Sequence, residues 1–288
     1  MNLQGAPIAM PRIISPRLSI LLATKAPHGV IFRRGPSRVT CTIGWDRRTD
    51  TFTLGQWVKA RIFVRRSDIS PDGKHVIYFA SDYGRALHTW TAISRAPYLK
   101  AVVLYGKGDS WNGGGLFTAN NRFWLNDSEE FEHHRLVHNL DRRLVRDPIC
   151  PWAHEGSFDG VDTEFRRLMR DGWRWIGGEQ LARRHDVRTL ERQINSQWTL
   201  QKAAHSLIPK KQVLGRGTRY DAYSIKHRQT GDVEEHPDWD WADVDRRRLV
   251  WTAGGKLLTG HLAKDGLDSI RTLHDFNGMT FEPIKAPY

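Results

Sequence analysis

The segment GKGDSWNGGGLF, residues 106–117, carries the chain's most unusual chemistry. Five glycines within ten residues let backbone approach a ligand closely, and Lys107 offers a counter-charge for an anion. The spacing is not the Gly-x4-Gly-Lys-Ser/Thr of a phosphate-binding loop, and no helix is predicted after it. The competing reading is a long turn between strands that presents Trp111 and Asn112. Lys107, Asp109, Trp111 and Asn112 are the candidate ligand-binding residues.

Other clusters are weaker. FEHHRLVHNLDRR, residues 131–143, holds His133, His134 and His138. On a helix His134 and His138 would share a face, as two metal ligands can. No third ligand is specified, so a polar loop or short helix is the alternative, and no metal ligand is assigned. DWDWADVD, residues 238–245, packs four carboxylates into eight residues. Extended, it sets Trp239 and Trp241 on one face with Asp243 and Asp245. A calcium loop needs a bend that this stretch lacks, so the acids are expected to pair with Arg246–Arg248. No Gly-x-Ser-x-Gly elbow surrounds Ser110 or Ser157. Cys41 falls in a predicted strand, where cysteine acts as a small buried hydrophobe. Cys150, with His154 four residues on, makes no catalytic pair by sequence proximity alone. No catalytic residue and no cofactor is assigned.

The elements that would position these residues are strands. At 288 residues with 39% hydrophobic and 26% charged content, the chain can build a substantial core. Its 12 tryptophans suit half-buried sheet surfaces. A net charge of +12 favours anionic partners. The arginines are spread in doublets such as Arg33–Arg34 and Arg65–Arg66, which reads as a solvated arginine-rich surface rather than a binding patch. Two cysteines are too few for a disulfide framework. No apolar run is long enough for a membrane helix or a signal-peptide core, so a cytoplasmic protein is expected.

Strand candidates start at Arg17–Ala23, Gly29–Arg34 and Ser37–Trp45, then TFTLGQW. In SDISPDGKHVIYFAS, residues 67–81, Pro71 and Asp72-Gly73 make a turn. Val76, Tyr78 and Ala80 then alternate with Ile77 and Phe79. Further hairpins are predicted with turns at Asp171-Gly172, Thr230-Gly231 and Gly254-Gly255. The first of these reads FRRLM and WRWIGG as its two strands. Units of this grammar recur at intervals of about 40 to 60 residues, the spacing of propeller blades.

SDISPDGKHVIYFAS resembles the Ser-Pro-Asp-Gly strand entry of WD40-like and TolB-like β-propeller repeats, and DVDRRRLVWTAGGKLL looks like a degenerate form of the same unit. The texture of YGKGDSWNGGGLFTANNRFWLND is similar to bacterial proteins of propeller type. The resemblance implies a fold and no activity. The expected architecture is all-β: a single β-propeller of about five blades over residues 16–288, after a loose lead-in at 1–15 and with an irregular insertion near 128–163. Two packed β-sandwich units are the alternative. The expected function is non-enzymatic: a monomeric binding or scaffold protein that docks a protein or small-molecule ligand at its loop face or channel mouth. A propeller hydrolase or lyase, and electrostatic binding of nucleic acid, stand as alternatives.

Overall fold

The computed structural model describes residues 14–35, 39–127, 133–152, 163–182, 185–206 and 219–288. The lead-in expected at 1–15 lies largely outside them, and of the insertion expected near 128–163 residues 133–152 and 163 are described. The described chain is all-β, with five sheets, no closed barrel and one short α-helix. Pairing is antiparallel in every sheet except for one parallel contact in the third. No helix among the described residues is long and apolar enough to cross a membrane.

The first sheet is a meander of β1 (Arg17–Leu22), β2 (His28–Arg34), β3 (Thr40–Asp46) and β4 (Thr51–Val58). The second takes β5 (Arg61–Ile62), β6 (Asp68–Ile69), β7 (His75–Ser81), β8 (Thr89–Arg95) and β9 (Ala101–Lys107). A single 3-10 turn, Val64–Arg66, separates β5 from β6. β10 (Gly115–Ala119) and β11 (Arg122–Leu125) begin the third sheet. The chain then returns to the second with β12 (Arg135–Asn139), and β13 (Val145–Asp147) joins β11 in parallel. Two strands therefore occupy the region expected to be an irregular insertion.

Helix α1 (Thr163–Arg170) leads into the fourth sheet: β14 (Arg174–Ala182), β15 (His185–Gln193), β16 (Trp198–Ser206), β17 (Arg219–His227) and β18 (Val233–His236). The fifth is β19 (Trp239–Asp245), β20 (Arg248–Ala253), β21 (Lys256–Ala263) and β22 (Gly266–Asp275).

Local chemistry explains most of these elements. Ser70 Oγ donates to Asp72 Oδ1 (2.7 Å), and Gly73 takes φ +75°, so the chain reverses into β7 as the sequence requires. Tyr78 and its neighbours Val76 and Ala80 then pack in one core while Ile77 packs in another, so both faces of β7 are buried. Gly254 and Gly255, both at positive φ, turn β20 into β21. The reading of FRRLM as a strand is wrong: those residues lie in α1. Phe165, Leu168 and Met169 recur at three- and four-residue intervals and face one core, which is helical periodicity. Gly172, at φ +92°, ends that helix rather than turning a hairpin. Its N–H donates to Met169 O (3.2 Å) and the Trp173 N–H to Leu168 O (2.9 Å), the paired bonds of a Schellman cap.

The cores lie between neighbouring sheets. One joins sheets one and two, another two and three, and a third packs α1 with sheets four and five. The remaining core joins the first sheet to the last, through Leu18, Ile31 and Trp45 against Val250 and Leu257. Strand contacts follow the same order. β1 touches β6, β6 touches β10, α1 touches both β10 and β14, β17 touches β19, and β19 returns to β1.

Candidate functional site: an arginine-lined cleft

β1, β19 and α1 each run between two cavities. The cavity at the start of these elements includes Arg17, Thr163 and Trp239; the one towards their ends includes Leu22, Arg170 and Val244. The first is a cleft of about 340 Å³ lined by six arginines: Arg17, Arg34, Arg61, Arg65, Arg66 and Arg219. Among the described residues only two carboxylates, Asp221 and Asp240, share it.

The fold gathers these arginines from strand ends. The β1–β2 register sets Arg17 directly opposite Arg34. Along β2 the two-residue period sends Arg33 into the interior, where Nε donates to Phe276 O (2.8 Å) and Nη1 to Gly35 O (2.6 Å). Arg34 therefore turns to the cleft. Arg61 opens β5, Arg65 and Arg66 sit on the 3-10 turn, and Arg219 opens β17. Burial lowers the pKa of Arg34, and the like charges of Arg61 and Arg17 lower it further. No carboxylate among the described residues pairs with Arg34, Arg61 or Arg219.

Behind the cleft lies a buried ionic cluster. Arg65 Nη2 donates to Asp221 Oδ1 (2.8 Å), and Arg65 Nε lies 3.4 Å from Glu164 Oε2. Lys202 Nζ bridges Glu164 Oε1 (2.7 Å) and Asp221 Oδ2 (3.1 Å). Burial by itself would raise the Glu164 pKa, but Lys202, Arg65 and Arg167 outweigh it and hold the group at about 2. Burial likewise opposes the Lys202 charge, and Asp221 and Glu164 restore it, leaving the pKa raised. Asp221 is thus committed to this cluster.

The second cavity, about 600 Å³, is lined by arginines too; Arg47, Arg170 and Arg192 each meet an acid there, while Arg48 and Arg246 form no ion pair with a carboxylate among the described residues. Arg170 grips Asp68 with two bonds (2.6 and 2.9 Å) and also binds Asp171 (2.7 Å). Arg47 binds Asp245 (2.8 Å), and Arg192 binds Asp243. Burial raises the Asp171 pKa despite the attraction of Arg170.

The residues singled out by sequence come together in one turn beside the cleft. Lys107 has no exposed side chain, and its Nζ binds Asp109 Oδ1 (2.7 Å). The same oxygen accepts from the Trp111 N–H (2.9 Å), and the Thr89 hydroxyl donates to Asp109 O (2.7 Å). Asn112 is buried at φ +52°, while Trp111 is 62% exposed. The glycines allow close backbone packing: a Cβ on Gly114 would lie 1.9 Å from Arg66 O. Arg66 Nη1 in turn donates to Ser110 O (2.7 Å) and Asn112 O. The turn therefore braces Arg66 at the cleft wall.

His134 and His138 flank and enter strand β12, not a helix, so the helical pairing of their rings does not occur. His134 is buried between Thr91 Oγ1 (2.6 Å) and Asp127. No group of three or more His, Cys, Asp or Glu among the described residues is arranged to hold a metal ion. Cys41 and Cys150 are both buried and unpaired with each other, and burial pushes the Cys41 thiol up to about 12. A bulge between Trp239 and Trp241 separates the two rings expected to share a face. Trp239 packs with Ala242 and Val244, Trp241 with the opposite core. Asp245 does pair with Arg248 (2.9 Å), while Asp243 reaches Arg192 instead.

Sequence reasoning missed the cleft because its arginines are far apart in the chain. The available signal was positional: Arg17, Arg61 and Arg219 open predicted or actual strands, and Arg34 closes one. No protein-family model matches this sequence, and no curated protein matches it.

Proposed function

We propose that the chain is a five-bladed β-propeller that acts as a binding protein, holding an anionic ligand at the arginine-lined mouth of its central passage. The order of contacts supports the fold: the sheets follow one another around the chain, the third and fourth joined through α1, and the last meets the first through the core around Leu18 and Val250. The two cavities at opposite ends of β1, β19 and α1 then correspond to the two mouths. Ligands of propellers enter at such a mouth, where inner strands from several blades converge.

One observation carries the anionic reading. Arg34, Arg61 and Arg219 line a common cleft, and none of them forms an ion pair with a carboxylate among the described residues, while the deeper arginines are paired. Charge left uncompensated at a concave site raises the local concentration of oppositely charged solutes. The binding role, rather than catalysis, rests on the composition of the cleft. Of its two carboxylates Asp221 is tied to Arg65 and Lys202, and no histidine or cysteine among the described residues lines it.

The test is fluorescence anisotropy with pyranine, a small polyanionic dye, and with an uncharged fluorophore of similar size. The wild type should bind pyranine with an affinity that falls with added salt, and the Arg34→Ala/Arg61→Ala variant should bind it at least about tenfold more weakly. Equal binding by the two proteins would overturn the assignment.

A further inference from the structure

We infer that the cleft takes a small molecule through a phosphoryl group, an inference that rests on the anionic reading of this mouth. Three features lead to it. Arg17 and Arg34 are direct cross-strand partners, an arrangement of like charges that weakens a sheet. Arg61 adds a third guanidinium close enough to act on Arg34, and Arg219 lines the same cleft. The fold thus concentrates planar, permanently charged donor forks at one point.

A carboxylate has two oxygens and one charge, and a single bidentate fork satisfies it. A phosphate monoester carries about −1.5 to −2 charge near neutral pH and offers three strong acceptor oxygens. Several forks converging from different strands match the second acceptor and exceed the first. Arginine suits this geometry where lysine would present only a point charge. The neighbouring aromatic rings are already engaged: Arg61 and Arg66 lie over Phe63 at 4.5 and 5.2 Å, and Trp239 is stacked with His236 at 3.8 Å. The ligand is therefore recognised by its charge and oxygens more than by ring stacking.

The volume sets the size. About 340 Å³ lies at the small end of the range for small-molecule sites. A nucleic-acid groove instead tracks several phosphates with charges spread along it, often with free aromatic platforms.

Displacement of bound pyranine tests the inference. The competitors are pyrophosphate, citrate and an oligothymidylate of roughly 20 nucleotides, compared at equal ionic strength. Pyrophosphate should displace the dye at concentrations at least about tenfold below citrate. The oligonucleotide, counted per phosphate, should compete no better than pyrophosphate. The Arg34→Lys/Arg61→Lys variant keeps the charge and loses the forks, so it should retain pyranine binding while the preference for pyrophosphate over citrate collapses. Citrate competing as well as pyrophosphate in the wild type would overturn the phosphoryl assignment and leave the anionic mouth standing. A markedly stronger oligonucleotide, with steep salt dependence, would overturn the small-ligand assignment. Failure of pyranine to bind at all would overturn the underlying reading instead.

Discussion

The two cavities at either end of β1 use the same residue type in opposite ways. At the end lined by Asp68, Asp171 and Asp243, the buried arginines are locked, Arg170 to Asp68 and Asp171, Arg192 to Asp243 and Arg47 to Asp245, and Arg48 and Arg246 lie at the same end. At the other end Arg34, Arg61 and Arg219 line a cleft of about 340 Å³, and none of them forms an ion pair with a carboxylate among the described residues. The difference teaches which arginines the fold needs. A buried guanidinium needs its acceptors, the carboxylate of Asp68 for Arg170 or the carbonyls of Phe276 and Gly35 for Arg33, because losing a partner strands a charge away from water. The mutual repulsion of an exposed cluster of like charges does not favour folding, so its placement points to something outside the chain.

Breaking the paired end should cost most. Asp68 is fully buried, accepts both bonds from Arg170 and also accepts from the Phe117 N–H (2.8 Å). Asp68→Ala removes the acceptor of the Phe117 N–H and leaves Arg170 with only Asp171 and Phe117 O, and should destabilise the protein by about 3–5 kcal/mol in urea unfolding. A loss below about 1 kcal/mol would show that the pair is not the clamp described.

The cluster between the two ends should come next, with a pH signature. Glu164→Gln leaves Lys202 and Arg65 to share the single carboxylate of Asp221 and should lower stability by about 2–3 kcal/mol near neutral pH. Because the Glu164 pKa is depressed to about 2 in the folded protein, its contribution is fully present above the unfolded value. That contribution is lost as pH falls from about 4.5 towards about 2. The gap between wild type and variant should therefore narrow on acidification across that window, as urea midpoints at several pH values would show. A gap that stays constant would contradict the pairing.

Gly114→Ala sharpens the comparison from the scaffold side. The new methyl would collide with Arg66 O at a residue held at φ +80°, for a loss of about 2 kcal/mol or more. Because the same turn holds Arg66 at the cleft, pyranine affinity should weaken in the fraction that remains folded. Unchanged affinity would separate the glycine-rich turn from the site.

Much of this architecture was legible. Alternation in HVIYFAS and the turn chemistry of Ser70–Gly73 and Gly254–Gly255 each depend on neighbours in sequence, so strands β7, β20 and β21 could be read directly. α1 was not legible as a helix, because Phe165, Leu168 and Met169 in so short a segment suit more than one period. The bulge in β19 depends on a cross-strand partner, which no local pattern reveals. The glycine-rich turn stood out by composition. Its Lys107, however, is neutralised by Asp109 two residues away, and its position relative to Arg66 exists only in the folded chain. The cleft was hidden for the same reason. Arg33 and Arg34 look alike in sequence, and only the strand period, with Phe276 and Gly35 on one side, decides that the first is structural and the second faces the cleft.

The smallest stability effect belongs to the arginines proposed to bind, and it gives the most direct test. The Arg34→Ala/Arg61→Ala variant should be compared with wild type in two measurements on the same preparation, urea unfolding and pyranine anisotropy. Stability should stay within about 0.5 kcal/mol, or rise slightly as like-charge repulsion is relieved, while dye affinity falls at least about tenfold. A variant that unfolds far more easily, or that binds the dye as wild type does, would contradict the division between structural and binding arginines.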